Sequence, residues 1–112
     1  MTTSNQKMAT RQQAGPTFPA PLMALGRLAP LTVDSTSGGV GLGAVPAGTQ
    51  YAELYCETAQ IRFTVDGTAP TTTVGRIMNP GDTLKLATND FTLFKAIRTG
   101  SVSGQLQGDY WG

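Results

Sequence analysis

The fold is decided by residues 51–65, which read YAELYCETAQIRFTV. Apolar side chains recur there at every second position, with one break at Thr58-Ala59, and these are Ala52, Leu54, Cys56, Ile61, Phe63 and Val65. Because successive side chains of a β-strand point to opposite faces, this period is typical of strands with one buried face. The stretch therefore predicts two strands, which we expect to form a hairpin.

Shorter alternating runs, divided by turn signals, lie on both sides of this stretch. Asp66-Gly67 and Asn79-Pro80-Gly81-Asp82 are typical turn sequences, since glycine tolerates a positive φ and proline fixes the first central residue. The alternation predicts further strands at residues 31–34, 40–44, 74–78, 83–86, 91–98 and 102–111. Short strands at spacings of about ten residues, without a long helical pattern, predict an all-β fold, a small antiparallel β-sandwich or jelly roll.

Residues 1–30 lack this regularity and are predicted to form an extended, partly disordered N-terminal arm, ahead of a β-sandwich body in residues 31–112. The arm combines prolines with apolar side chains that we expect to contact a partner: Phe18, Leu22, Met23, Leu25 and Leu28. A proline-rich segment loses little conformational entropy when it docks in an extended form. The sequence leaves open whether these side chains dock on a neighbouring subunit or on their own domain.

Aromatic residues later in the sequence extend the predicted interface. Residues 91–98 are apolar on both faces, as expected of a strand that is covered on each side or lies at a subunit contact, which places Phe91 and Phe94 in the interface. Trp111 alternates away from the core-facing side chains, and an outward tryptophan favours a contact with another subunit. A body of this size gains only a few kcal/mol from its own core, so we expect a homo-oligomer.

Composition and charge argue against several classes of function. The 112 residues carry a net charge of +1, one cysteine and no histidine, and 13% of them are charged. Without a concentrated basic stripe, we expect no specific nucleic-acid binding. Without histidine, this chain alone supplies neither a zinc site nor a Cys/His nucleophile pair, and Cys56 is expected to be a buried apolar side chain. We therefore predict no catalytic, cofactor-binding or metal-binding residues and no enzymatic activity.

The acidic residues fit structural roles better than catalytic ones. Glu53 and Glu57 lie on one strand face at a separation of roughly 13 Å, which is too far to share a proton or an ion. Asp66, Asp82 and Asp90 each occur in a turn signal, where a carboxylate can cap backbone N–H groups. The first residues lack the apolar region of a signal peptide, and no apolar run is long enough to span a membrane, so we expect synthesis and initial residence in the cytoplasm.

Residues 51–111 resemble a group of small virion structural proteins of tailed bacteriophages. The elements that carry the resemblance are strand residues 61–65, the hexapeptide Asp66-Gly67-Thr68-Ala69-Pro70-Thr71, the Gly81-Asp82 turn, Phe94-Lys95-Ala96-Ile97 and residues 106–110. The resemblance implies a β-sandwich of the virion that decorates or cements a capsid, with the major capsid protein as its partner, and it brings no catalytic residues. Asp66, Gly67, Thr68 and Pro70 are predicted to be structural residues of the turn.

The same resemblance leaves room for other roles in the virion. A head-tail or tail adaptor is one alternative, and a receptor- or carbohydrate-binding module is another, in which Tyr51, Tyr55 and Trp111 would stack on a sugar ring. The geometry of capsid threefold sites favours a trimer as the oligomer. Residues 63–71 are also similar to the Ig-like accessory domain of some secreted carbohydrate-active enzymes, a likeness that shared turn chemistry explains.

Overall fold

The structure, a computed structural model, describes residues 22–112. Its strands are β1 (Ala24–Val33), β2 (Tyr51–Glu57), β3 (Ile61–Thr64), β4 (Arg76–Met78), β5 (Thr83–Ala87), β6 (Lys95–Arg98) and β7 (Gly104–Trp111), with a 3-10 turn at Phe91–Leu93 before β6. They form a four-stranded sheet in the order β1-β7-β2-β5 and a three-stranded sheet in the order β4-β3-β6, with antiparallel pairing throughout. The predicted all-β antiparallel sandwich is confirmed.

The core lies between the two sheets and follows the period of two. Buried side chains of the four-stranded sheet face those of the three-stranded sheet, and they are Leu28, Val33, Ala52, Leu54, Cys56, Leu86, Leu106 and Tyr110 on one side and Ile61, Phe63, Met78 and Ala96 on the other. Phe94, which precedes β6, joins this core and stacks on Phe63 with ring centroids 5.9 Å apart. Each large apolar side chain removed from water contributes about 1.5–3 kcal/mol, so this core is the main source of stability.

The predicted hairpin of residues 51–65 is wrong, because β2 and β3 lie in different sheets. Thr58 adopts a φ of 76°, and Ala59 N donates to Glu57 O at 2.9 Å, so the chain leaves one sheet after β2 and enters the other at Ile61. Both apolar faces still reach the same core, since the inner faces of two packed sheets point toward each other. Alternation therefore identifies which face of a strand is buried, but it does not identify the strand with which it pairs.

The predicted boundary between residues 30 and 31 does not hold, because β1 continues across it and pairs with β7 on both sides of it. Pro30 is accommodated in this outer strand because the register shifts there, between Leu28 and Leu31. At this position the N–H group that proline lacks is not needed for a hydrogen bond between strands. From residue 24 onward, the proline-rich stretch thus docks on its own domain. The earlier part of the predicted arm, residues 1–21, lies outside the described residues.

Other predicted strands are shorter than expected, among them that of residues 74–78, of which only Arg76–Met78 form β4. Residues 91–98 divide into the 3-10 turn and β6, because Asp90 caps the turn by accepting a hydrogen bond from Thr92 N at 3.0 Å. Residues 40–44 make a single bridge, from Val40 to Ala96, in place of a strand. The strand predicted from residue 102 begins at Gly104.

The predicted turn at residues 79–82 is confirmed as a type II turn. Gly81 has a φ of 95°, the conformation that the third position of this turn requires, and Asp82 N donates to Asn79 O at 2.9 Å. The carboxylate of Asp82 also accepts from Asn79 N at 2.8 Å. The residue thus acts as the predicted turn cap.

The loop that begins at Asp66 connects β3 to β4 and is fixed by the predicted turn chemistry. Asp66 Oδ1 accepts from Thr68 N at 3.0 Å, and hydrogen bonds from Thr68, chiefly this backbone one, lower the pKa of the Asp66 carboxyl. Gly67, at a φ of 85°, donates to Leu93 O at 2.9 Å and fastens the loop to the 3-10 turn. Pro70 is buried in the middle of the loop. Asp66 and Gly67 thus hold the loop in shape through hydrogen bonds, and Pro70 packs it against the body.

Candidate interaction surface

The outer face of the four-stranded sheet carries polar, charged and aromatic side chains in rows that cross all four strands. In one row, the successive register partners are Arg27 of β1, Asp109 of β7, Glu53 of β2 and Lys85 of β5. The two carboxylates are neighbours, and each has a basic residue on its other side, so opposite charges offset the like-charge contact. Pairing of distant strands creates this row, and no spacing in the sequence indicates it.

The neighbouring row is aromatic at its centre. Trp111 and Tyr51 are partners between β7 and β2, and their rings stack with centroids 6.3 Å apart and planes 12° apart. Alanines flank the pair on both sides, Ala24 on β1 and Ala87 on β5. Trp111 Nε1 is buried and has no hydrogen-bond partner among residues 22–112. The stacked pair, bordered by methyl groups, is the largest aromatic feature of this face.

A third aromatic side chain, Tyr55, lies further along β2 and is 43% exposed. Its register partners are Gln107 on β7 and Thr83 on β5. Gln107 Nε2 donates to Glu57 Oε1 at 3.3 Å, which holds an amide and a carboxylate beside the tyrosine. Sequence inspection placed Tyr55 on this face but missed the glutamine, because the register between β2 and β7 was unknown.

Strand β1 is an outer strand of the sheet that residues 22–112 form, and part of its backbone faces away from β7. Met23 N donates to Gly112 O at 2.7 Å, and Gly112 N donates to Met23 O at 2.9 Å. Because successive residues of an antiparallel strand bond to opposite sides, Trp111 bonds toward β2. Its β1 partner, Ala24, consequently turns its N–H and C=O groups to the outer edge.

The structure separates the predicted interface residues into two groups. Exposed or partly exposed are Leu22, Met23, Leu25, Phe91 and Trp111. Leu28 and Phe94 are 5% and 1% exposed, so the prediction that they contact a partner needs correction. Leu28 points between the sheets, and Phe94 is held against the ring of Phe63 in the core. Phe18 lies outside the described residues.

The carboxylates near turns accept hydrogen bonds from nearby residues of their own turns. Asp34 accepts hydrogen bonds from Thr36, and these bonds, first of all that of the Thr36 hydroxyl, lower the pKa of the Asp34 carboxyl. In the part of the chain that the structure describes, no three Cys, Asp or Glu side chains come together in a way that could hold a metal ion. No helix of that part is long and apolar enough to cross a membrane.

Cys56 is a core residue, as expected. Its side chain is fully buried, and its Sγ lies 3.4 Å from Ala59 O, which accepts a weak thiol hydrogen bond. Burial, with smaller contributions from Asp82 and Glu57, raises the pKa of the thiol. Because the thiolate is the reactive form, both its burial and its pKa make this cysteine a poor nucleophile.

We therefore expect the thiol of the native protein to resist alkylation. At about pH 8, N-ethylmaleimide should leave the folded protein unmodified over a period in which the urea-unfolded protein is fully labelled, as measured by intact mass spectrometry. The unfolded sample is the matched control, since it contains the same thiol without its burial. Equal labelling rates in the two samples would show that Cys56 is accessible and contradict its place in the core.

Comparisons with known proteins add no relative: no protein-family model matches the chain, and no curated protein matches it.

Proposed function

We propose that this protein is a non-enzymatic structural component of a tailed-bacteriophage virion, a capsid decoration or cement protein whose partner is the major capsid protein. The hexapeptide at residues 66–71 and the order of the strands around it support the assignment to phage virions. The observation that carries the assembly role is the outer edge of β1 in the sheet of residues 22–112, which presents backbone hydrogen-bonding groups beside exposed apolar side chains.

Only one half of this edge carries a proline that blocks pairing. Natural sheets protect their outer strands with prolines, bulges or charges. Pro30 and the register shift beside it protect the second half of β1, and a further register shift between Ala24 and Gly26 limits the open part of the edge to the residues up to Ala24. In the first half, Ala24 directs its peptide groups outward, and the neighbouring Met23 and Leu25 are 67% and 37% exposed. Such an edge can accept an added strand, in which main-chain hydrogen bonds supply affinity and apolar side chains fill pockets.

A cement protein with this edge stabilises a shell by acting at many places together. One added strand contributes a modest free energy, since each hydrogen bond is worth only about 0.5–1.5 kcal/mol net. An oligomer, for which we propose a trimer, presents the edge several times, so that its contacts with adjacent capsid subunits must break together. Internal genome pressure would then be resisted by a set of linked weak contacts.

The copy number in purified virions tests the assignment. Decoration predicts many copies spread over the shell, whereas a head-tail adaptor predicts one ring of copies. Quantitative mass spectrometry, with the major capsid protein as internal reference, measures the ratio. Absence of the protein from mature particles would contradict a virion role altogether, and a ratio that fits one ring would replace decoration with the adaptor alternative.

Replacing Ala24 with proline should weaken attachment to capsids by at least about tenfold, or about 1.4 kcal/mol, because proline removes the outward N–H and adds a ring at the edge. The matched control is Ala87→Pro, at the opposite edge of the same sheet and in the same row of residues. Co-sedimentation with particles that lack the protein measures attachment, and circular dichroism checks the fold. Equal attachment of the two variants would show that the β1 edge is not the contact.

A further inference from the structure

We infer that the outer sheet face also holds a binding site for a neutral sugar ring, in the depression beside Tyr51. This depression has a volume of about 450 Å³ and is lined by Leu22, Gln50, Tyr51, Lys85 and Ala87. Three other depressions measure about 200 to 340 Å³, and none of their lining residues is a tyrosine or tryptophan. The sugar site does not depend on the assembly role proposed above.

Tyr51 forms an aromatic wall of the depression. One face of the Tyr51 ring stacks on Trp111, with the two planes 12° apart. The other face therefore turns toward β5, where the next residue in the row is Ala87. An alanine methyl group is too small to cover a tyrosine ring, so this ring face borders the depression. Carbon–hydrogen faces of sugar rings pack on such aromatic faces in the same way that other flat ligands do.

Polar groups at the rim fit hydroxyl groups. Lys85 and Gln50 line the depression, and both are exposed. Glu53 is the register partner of Lys85 and stands in the adjacent row of the same face. Together the ammonium, amide and carboxylate groups supply both donors and acceptors. A ligand with several hydroxyl groups can bond to Lys85 and Gln50 at the rim, in keeping with small-molecule sites that combine apolar walls with a few polar groups.

The charge of this face disfavours a nucleic acid, which could also stack on tyrosine. The strands of the outer face carry two basic residues, Arg27 and Lys85, and three acidic residues, Asp109, Glu53 and Glu57. Phosphate backbones bind surfaces with an excess of basic side chains. This face has an excess of acidic ones, so a neutral ring is the better ligand.

The same polar rim disfavours an apolar side chain from a protein partner. Such a side chain would fill the space beside Tyr51 but would remove water from Lys85 and Gln50 without offering hydrogen bonds in return. A sugar ring offers an apolar face to Tyr51 and hydroxyl groups to the rim at once. Of the ligands that could stack on the Tyr51 ring, a sugar forms hydrogen bonds with the most polar groups at the rim.

Binding can be measured with the purified protein and three neutral probes: maltohexaose, cellohexaose and fully N-acetylated chitohexaose. We expect at least one of them to bind with a dissociation constant on the order of 1 mM in isothermal titration calorimetry. Binding should also shift the emission of Trp111, the one tryptophan of the chain, because its stacking partner contacts the sugar. Neither readout involves virions, so a failure here leaves the assembly proposal standing.

Two matched variants locate the site. Ala87→Leu fills the depression next to the open face of Tyr51 and should weaken binding about tenfold or more. Ala29→Leu makes the same change on β1 of the same sheet, seven residues from Leu22 along the chain and outside the lining of the depression, and should leave binding unchanged. Both alanines are exposed, so both variants should fold, as circular dichroism will show. Lack of binding to all three probes, equal loss in both variants, or tighter binding of oligothymidylate would each overturn the proposal.

Discussion

Replacing Phe94 with alanine is expected to destabilise the protein by about 3–5 kcal/mol. Phe94 is 1% exposed, and its ring stacks on Phe63 with centroids 5.9 Å apart and planes 24° apart. The substitution removes the transfer free energy of the ring, leaves a cavity between the sheets and abolishes an aromatic contact. Because small domains are stable by only about 5–15 kcal/mol, such a loss takes a large part of the total.

Urea denaturation followed by circular dichroism measures this change. Phe91→Ala is the matched control, since Phe91 is only partly buried against the core and should cost less. The experiment also tests the location of Phe94. A core residue changes the midpoint equally at all protein concentrations, whereas an interface residue makes the change depend on concentration. A loss below about 1 kcal/mol would contradict burial of the ring.

The second large effect is expected for Gly108→Ala, with a loss of about 2–3 kcal/mol. Gly108 lies within β7, between Leu28 of β1 and Leu54 of β2. A Cβ atom there would lie 2.7 Å from Glu53 O and 2.9 Å from Leu54 Cδ2. The carbonyl belongs to the backbone of β2 and cannot rotate away, so the two central strands of the sheet would have to separate.

Gly100→Ala is the matched control for Gly108→Ala. A Cβ atom at Gly100 would meet no heavy atom within 4 Å, so this substitution should change stability by no more than about 0.5 kcal/mol. Urea denaturation of the two variants gives the comparison. Similar stabilities would show that β2 and β7 are spaced more widely than the structure has them.

The sequence predicted the parts of the fold that depend on local chemistry. The period of two identified β2, β3 and β5, and the Asp-Gly and Pro-Gly signals identified the turns at Asp66 and Gly81. It did not predict which strands are neighbours, because a side-chain period encodes a face and not a partner. Thr58 illustrates the limit: its positive φ redirects the chain between sheets, and threonine is not a residue that signals this conformation.

The candidate surface was less predictable than the fold. Tyr51 and Trp111 were each placed on an outer face by alternation, but their stacking depends on the register of β2 against β7. Prolines suggested that the stretch before residue 31 lies outside the body, yet an outer strand tolerates Pro30, because at this position no ladder needs the N–H group that proline lacks. Phe94 was assigned to an interface because residues on both faces of its run are apolar, and the 3-10 turn at Phe91–Leu93, which interrupts the strand alternation, accounts for that pattern.

The position of β7 has a consequence for how the protein is made. This strand comes after the other described strands in the chain, yet it lies between β1 and β2 in the sheet. A nascent chain on the ribosome therefore holds β1 and β2 without the strand that joins them until β7 has emerged. Folding of the larger sheet must wait for the end of translation of this region, and such long-range pairing is slow. Premature termination before Gly104 would leave β1 and β2 without the strand that pairs with both of them, with exposed apolar side chains that chaperones bind and a chain that proteases degrade.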